Sequence, residues 1–382
     1  MQKFDVIVIG CGAIGSASFH FLASAGASVL AIDQHEPPHD KGSSHGQSRI
    51  IRQAYFEHPD YVPLLHEAYQ GWINLEEQTN QKLLHQVGLL QVGPVDGFLI
   101  PGVLASATEH HLPLDRIIGR DIEKRFPGFW AEEEVVGLFE KQAGYLRVEE
   151  SIRAYLECGQ RAGGVLAVYP EPARWQSDGA GVRVESGGEV FFADRLVIAT
   201  GSWSSPLMHA LGIELRVVRK HVHWFANDSG KYGEGSPVFF FETPQGDFYG
   251  FPQLDQRGIK VADHRGGEKV TDPDLLDPSV DSEDQNRIRA FLGKHVPDIS
   301  TRVTDHQVCM YTRSPDEHFI VDRHPEYPHV VFVAGLSGHG FKFAPALAKV
   351  ITDLICDRKL NLPIDFLSLA RFAHSKDENS DR

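Results

Sequence analysis

Residues 4–33 read FDVIVIGCGAIGSASFHFLASAGASVLAID. The unbroken apolar run at its start reads as a strand buried on both faces. Gly10, Gly12 and Gly15 follow in G-x-G-x-x-G spacing. Apolar positions at Ile14, Ala17, Phe21, Leu22 and Ala25 then mark a helix that Gly26 ends, and SVLAID is a second strand closing on Asp33. The three glycines serve different ends. Gly10 permits a tight turn, Gly12 lets backbone approach a pyrophosphate, and Gly15 lets helix pack closely on strand. Ala13 and Ile14 open the helix whose N-terminus would face the phosphates, and Asp33 suits a ribose hydroxyl pair. A lone glycine motif is weak. Strand, helix, strand and acid in this order predict a dinucleotide site. Cys11, inside the turn, needs only to be small.

Two further segments belong with this one. Residues 163–204 read as a strand, a hairpin-like pair of alternating strands and a buried strand, RLVIATG, ending in Ala199, Thr200 and Gly201, with Trp203 just beyond. Residues 329–355 read as another buried strand, a glycine loop containing Gly338 and Gly340, and an amphipathic helix. The nucleotide fold is therefore divided among the start, middle and end of the chain. No second G-x-G-x-x-G is present, which favours a resident flavin over exchangeable NAD. Lys342 falls in the first turn of the last helix, where the macrodipole disfavours a cation unless an anion lies nearby; a solvated lysine is the alternative.

The length of 382 residues suggests about two domains. Hydrophobic content of 42% and charged content of 23% are ordinary for a globular chain, with disorder expected only in the polar residues 375–382. A net charge of −15 with no basic run argues against nucleic acid and anionic membrane surfaces. No apolar run is long enough to span a membrane, so a cytoplasmic location is expected. The cysteines Cys11, Cys158, Cys309 and Cys356 show no metal-like or disulfide-like spacing. His221 and His223 alternate on a probable strand with no evident carboxylate partner, and no metal site is expected.

Five segments carry a more specific signal: GSSHGQSRIIRQAY (42–55), YGFP (249–252), GIKVADH (258–264), VCMYTRSPDEHFIVD (308–322) and GLSGHGFKF (335–343). In this order they resemble the monomeric sarcosine oxidase and N-methyltryptophan oxidase family over nearly the whole chain. The resemblance implies an α/β chain, α+β overall. A Rossmann-like FAD-binding domain of the glutathione-reductase-like type, residues 1–85, 145–217 and 315–382, would carry an inserted antiparallel-sheet substrate domain, residues 86–144 and 218–314. It also implies a monomer that oxidises an N-methyl amino acid with O2, yielding formaldehyde and hydrogen peroxide.

Site residues follow from the matches. Cys309 matches the cysteine bound as a thioether to the 8α-methyl of FAD; taken alone, it reads as inert packing. His45 and Arg49 match groups beside the flavin that support this attachment, with Ser43, Met310 and Phe341 among the other cofactor contacts. Arg52 and Lys342 match the carboxylate-binding pair, and Lys342 also borders the flavin. Arg49 and Arg52, three apart, share a side on a helix but diverge on a strand. Tyr249 and Tyr311 match aromatic residues of the amine site. Lys260 matches the lysine that promotes reaction with oxygen, and His264 belongs to the same catalytic group. Around Lys260, Ile259 and Val261 face one way while Lys260, Ala262 and His264 face the other; alternation alone equally suits a strand with one wet face. The chain departs from the family at Ser44-His45, where His-His is commoner, and at Phe248-Tyr249, where Tyr-Tyr is commoner. Neither removes a matched residue. The loop 228–237 is not diagnostic, so glycine, pipecolate or a glycated amino acid remain alternative substrates. A NAD-dependent dehydrogenase is the remoter alternative.

Overall fold

A computed structural model describes residues 2–373. The expected disorder of residues 375–382 lies outside the described residues. Three sheets organise the described residues, and the first is the one announced by residues 4–33. Its centre is parallel: Gln2–Ile9 lies between Val29–Asp33 and Glu189–Ile198, with Val165–Val168 and Val330–Ala334 flanking. Alternation along the opening strand splits its side chains between two cores. Val6 and Val8 pack with the helices Ala13–Ser24, Val148–Arg161 and Ala344–Ile355, while Ile7 and Ile9 pack on the other side with Val182, Val184 and Met208. Burial on both faces explains the unbroken apolar run.

Glu189–Ile198 corrects one expectation. The second strand of the hairpin and the buried strand before Gly201 are a single ten-residue strand. Its first half pairs antiparallel with Val182–Ser186 and its last residues pair parallel with Val330–Ala334 along the same edge. The hairpin turn uses Gly187 and Gly188 at φ 59° and 76°, a left-handed pair that tightly connects two twisted strands.

The second sheet has nine strands and draws on residues 89–140 and 216–313. It is antiparallel except where Val238–Thr243 runs parallel to Leu89–Pro94. Ser282–His295 covers one face, burying Phe291 against Phe239, Phe241 and Phe248. A small third sheet joins Ser48–Ile51 to Gly144–Arg147 and Leu84–His85. No helix among the described residues is long and apolar enough to cross a membrane.

Candidate active site

An elongated cavity of about 410 Å³ runs from the end of Val29–Asp33 to the junction between the first two sheets. At one end Gly10 sits at φ +90°, and a Cβ there would lie 2.6 Å from the Ala199 carbonyl oxygen. Gly15 is excluded from change by the protein itself, since its Cβ would fall 1.7 Å from the Gly10 oxygen. Gly12 differs. Its Cβ would meet only the Ser44 hydroxyl at 3.4 Å, an ordinary contact, so the protein leaves open a space that a ligand fills. The N-cap Gly12 has no side chain to cap Ala13–Ser24, the Ser44 hydroxyl accepts from the Ala13 N–H at 3.2 Å, and Gly12, Ala13 and Ile14 line the cavity, so the positive end of the helix borders a space that suits an anion.

Asp33 accepts hydrogen bonds from the Cys11 N–H at 2.6 Å and the His35 N–H at 3.0 Å. Burial pushes its carboxyl upward, but hydrogen bonds from His39 and these two N–H groups prevail and hold it below the usual range. It is thus ionised where a ribose would bind. Burial and Asp33 push the Cys11 thiol well up, which makes it inert and agrees with a filler role. Thr200, Gly201, Trp203, Met310, Gly338, Gly340 and Phe341 all line the cavity with Ser43 and Arg49. These features fit a flavin dinucleotide: a glycine cradle, a helix N-terminus and an ionised acid in one continuous space.

Beyond the phosphate end, strand register assembles the chemistry. Tyr249 stands opposite Ala262, Phe251 opposite Lys260, Lys260 opposite Trp224, Lys220 opposite Cys309, and Val218 opposite Tyr311. Opposed residues share a face and alternate residues return to it, so Tyr249, Lys260, Cys309 and Tyr311 project from one side of the second sheet. The Tyr249 hydroxyl lies 3.4 Å from that of Tyr311, and His264 Nδ1 lies 3.3 Å from the Tyr311 hydroxyl. Burial, then Lys220, pushes His264 well below its usual range, so it is neutral. Ile259 and Val261 join the core on the far side, and Lys260 is buried too. The strand therefore has no wet face. Cys309 does not itself line the cavity; it is buried against Val218 and Tyr311, one residue from Met310 on the cavity wall.

Lys260 Nζ donates to the carbonyls of Gly46 and Ser48, both at 2.7 Å, and lies 4.1 Å from the centre of the Phe251 ring. Burial and Arg49 push its ammonium well below the usual lysine range. The same loop is held from behind by Glu149, whose carboxylate accepts from the Gly46 and Gln47 N–H groups. Arg49 lies on the strand Ser48–Ile51 and donates to the Ser43 and Ser48 carbonyls, at the cavity wall. Arg52 follows the last strand residue, Ile51, so neither a shared helix nor a shared strand carries both arginines. His45 is buried, neither ring nitrogen has a hydrogen-bond partner among the described residues, and burial pushes it down to about 4.

Arg52 and Lys342 meet around Tyr55. The Arg52 guanidinium stacks 4.4 Å from the centre of that ring, and Lys342 Nζ donates to the Tyr55 hydroxyl at 3.2 Å and to the His339 carbonyl at 2.7 Å. Lys342 is not in the first turn of the last helix. It occupies the single 3-10 turn Phe341–Phe343 before it, so its orientation is set by that turn and the macrodipole argument weakens. Arg52 also donates to both oxygens of Glu57, at 2.7 and 2.6 Å. Burial pushes Glu57 up, but Arg52, His339 and Lys342 prevail and hold it at about 2.

Sequence reasoning missed Glu57, Glu149, Ser44 and Glu140. Glu57 lies only five residues past Arg52, but nothing in YFEHPD marks an acid turned inward. His221 and His223 project from the opposite face of the sheet, away from Lys260. A carboxylate partner that the local sequence does not reveal is present, because His223 Nε2 lies 3.3 Å from Asp284 and His221 Nδ1 lies 2.9 Å from His306. No group of three or more such residues among the described ones is arranged to hold a metal ion.

A divided nucleotide sheet, with its cavity reaching Arg49 and the Met310, Tyr311 and Thr312 wall of a second sheet, defines a flavoprotein oxidoreductase. The chain belongs to the FAD dependent oxidoreductase family, whose sequence profile matches residues 5–354. It is 36% identical to the monomeric sarcosine oxidase of Arthrobacter sp. (strain TE1826) over 99% of this chain and 98% of that one. It is also 36% identical to the N-methyl-L-tryptophan oxidase of Yersinia pseudotuberculosis serotype O:3 (strain YPIII), over 97% of this chain and 100% of the relative. Among solved structures, the amino acid oxidase NikD superposes with a TM-score of 0.84 at 22% identity, covering 96% of this chain and 98% of that one. At that identity the likeness concerns the fold alone.

Proposed function

We propose that this chain is an FAD-dependent oxidase that demethylates an N-methyl amino acid, sarcosine or N-methyl-L-tryptophan. Substrate, O2 and water give the amino acid, formaldehyde and hydrogen peroxide. The names of relatives at 36% identity over nearly full length support this reading. The observation that carries it is the pair of buried cations on Tyr55. Burial and Arg52 push Lys342 well below its ordinary range, so an arriving carboxylate supplies the counter-charge that keeps it protonated. Arg52 meets the same carboxylate by exchanging part of its contact with Glu57. Glycine, pipecolate and glycated amino acids carry the same carboxylate and are the alternative substrates.

FAD, held along the cavity by the glycine cradle and Asp33, would supply two-electron acceptor chemistry toward the substrate's C–N unit and toward O2. The chain's residues do the rest. Tyr249, Tyr311 and neutral His264 wall the amine from water, and the buried cations nearby favour its unprotonated form, whose lone pair the oxidation needs. Lys260 places a fixed positive group where dioxygen gains negative charge. Cys309 is assigned an 8α-thioether to FAD, supported by its place beside Met310 and its shared face with Tyr249 and Lys260. His45 and Arg49 are assigned to support that bond.

Residues 1–85, 145–217 and 315–382 are assigned to a FAD-binding domain of the glutathione-reductase-like type, and 86–144 and 218–314 to an inserted substrate domain. The division of the two large sheets between these segments supports the assignment. A cytoplasmic monomer is the proposed form. The test is a panel of N-methyl amino acids scored for peroxide, with acid precipitation of the yellow protein. Peroxide from sarcosine or N-methyltryptophan and pigment retained in the pellet are expected. A panel without peroxide rejects the oxidase, and a colourless pellet rejects the thioether.

A further inference from the structure

Glu140 is a carboxylate with no part in the reaction just described. It ends the strand Val135–Glu140, where it pairs with Leu89, and only 3% of it is exposed. One oxygen accepts from the Gln53 N–H at 2.7 Å and the other from the Ala54 N–H at 3.1 Å. Burying a carboxylate is costly unless strong partners compensate it, and a neutral acceptor would satisfy an N–H at lower cost. The two residues it grips are those immediately after Arg52. From Arg52 to Glu57 the backbone belongs to no helix or strand, so its N–H groups find no ladder partners. The far end of the same segment is also tied, by the Ser106 hydroxyl donating to the Tyr55 carbonyl.

We infer that Glu140 is a positioning residue: by clamping the Gln53 and Ala54 amides to the rigid edge of the second sheet, it holds Arg52 in the direction from which it meets the substrate carboxylate. The inference rests on the oxidase reading above. Strand pairing of Ile51 with Gly144 ends just before Arg52, and Tyr55 is held by His339 and Ser106 just after; between these anchors the Glu140 grip on the Gln53 and Ala54 amides sets the backbone direction, since the guanidinium contacts of Arg52, with Glu57 and the rings of Tyr55 and Phe56, lie within the same segment. A carboxylate suits this role because its two oxygens serve two successive N–H groups, whereas a carboxamide would turn a donor toward one of them.

The test uses the FAD-loaded Glu140→Gln and Glu140→Asp variants. Anaerobic mixing with sarcosine reads Kd from the concentration dependence of flavin bleaching and the limiting rate from its plateau. Titration with acetate, followed by flavin absorbance, reads carboxylate binding without turnover. For Glu140→Gln, Kd for sarcosine and acetate should each rise about tenfold, the scale of one charged hydrogen bond. The limiting rate should stay within about twofold, because the reacting atoms are untouched. Glu140→Asp keeps the charge but is one methylene shorter; it should show the same split at smaller size, and it serves if the carboxamide variant does not retain FAD. Unchanged acetate binding, or a limiting rate that falls as much as affinity, overturns the inference. Failure of both variants to fold would also overturn it, in favour of a purely structural role. If no N-methyl amino acid bleaches the wild-type protein, the oxidase reading fails, while the acetate titration still judges Glu140.

Discussion

Lys260 sits in an environment foreign to a lysine. A lysine at 1% exposure, pushed well below its ordinary pKa by burial and by Arg49, is costly to keep. Two carbonyl acceptors offset part of that cost and leave one ammonium proton for another partner. For Lys260→Met we expect near-normal anaerobic bleaching by substrate and reoxidation by O2 slowed roughly a hundredfold, the scale set by removing one preorganised charge-stabilising donor. Stopped-flow absorbance separates the two phases, and unchanged reoxidation would remove Lys260 from the oxygen step. Gly12 makes a complementary case, since a Cβ there would border the cavity and meet no protein group but the Ser44 side chain, at 3.4 Å. Gly12→Ala should fold with a thermal midpoint near wild type yet purify with most of its FAD lost. Gly15→Ala, whose Cβ would lie 1.7 Å from a carbonyl oxygen, should fail to accumulate as folded protein. Equal FAD content in Gly12→Ala and wild type would show that its hydrogen is not reserved for the cofactor.

Elements differed in how openly the sequence declared them, for physical reasons. The opening strand, helix and second strand were legible because their determinants are local: apolar period, glycine spacing and an acid at the strand end all lie within residues 4–33. The continuity of Glu189–Ile198 was not. Its N-terminal half alternates and its C-terminal half is buried throughout, a pattern that two separate strands would also produce, and only the pairing of one edge with two partners shows them to be one. The site was legible in its cations and aromatics only through family resemblance. Its supports were not legible at all, since Glu149 acts on Gln47 across 102 residues and Glu140 on Ala54 across 86. Local pattern carries no record of such pairings. At this scale the loop 46–48 is the element to test. It is gripped by Glu149 on one side and by Lys260 on the other, so Glu149→Ala should loosen it without touching the cavity wall. Faster hydrogen exchange confined to a peptide spanning residues 45–50, with reoxidation slowed less than in Lys260→Met, is the expected result. Exchange unchanged there would mean that Lys260 alone holds the loop.

At the scale of the whole molecule, buried histidines set the response to acid. Burial pushes His45, His221, His306 and His339 each down to about 4 in the folded chain. In the unfolded chain they titrate near the ordinary value of about 6.5. Between these limits the unfolded state binds more protons, so stability rises with pH across the window and is lost as pH falls from about 6.5 toward about 4. Glu140 works the other way. Burial raises it to about 6, so the folded state holds its proton first, and acidification below about 6 relieves the cost of the buried charge. His264, pushed well below its usual range, acts in the same direction, so the histidines outnumber Glu140, and the net expectation is a thermal midpoint that declines steadily from about pH 6.5 to about pH 4.5, read by flavin fluorescence during heating. His221 and His306 lie on the face of the second sheet away from Lys260, at 2.9 Å from each other. Replacing both with Gln should flatten part of that slope while leaving the limiting rate of flavin bleaching unchanged, because two of the depressed histidines are removed and both lie away from the cavity. A midpoint that holds steady or rises on acidification would mean that these histidines charge in the folded protein as readily as in the unfolded chain, and that the layer between the sheet and the helix Ser282–His295 admits water.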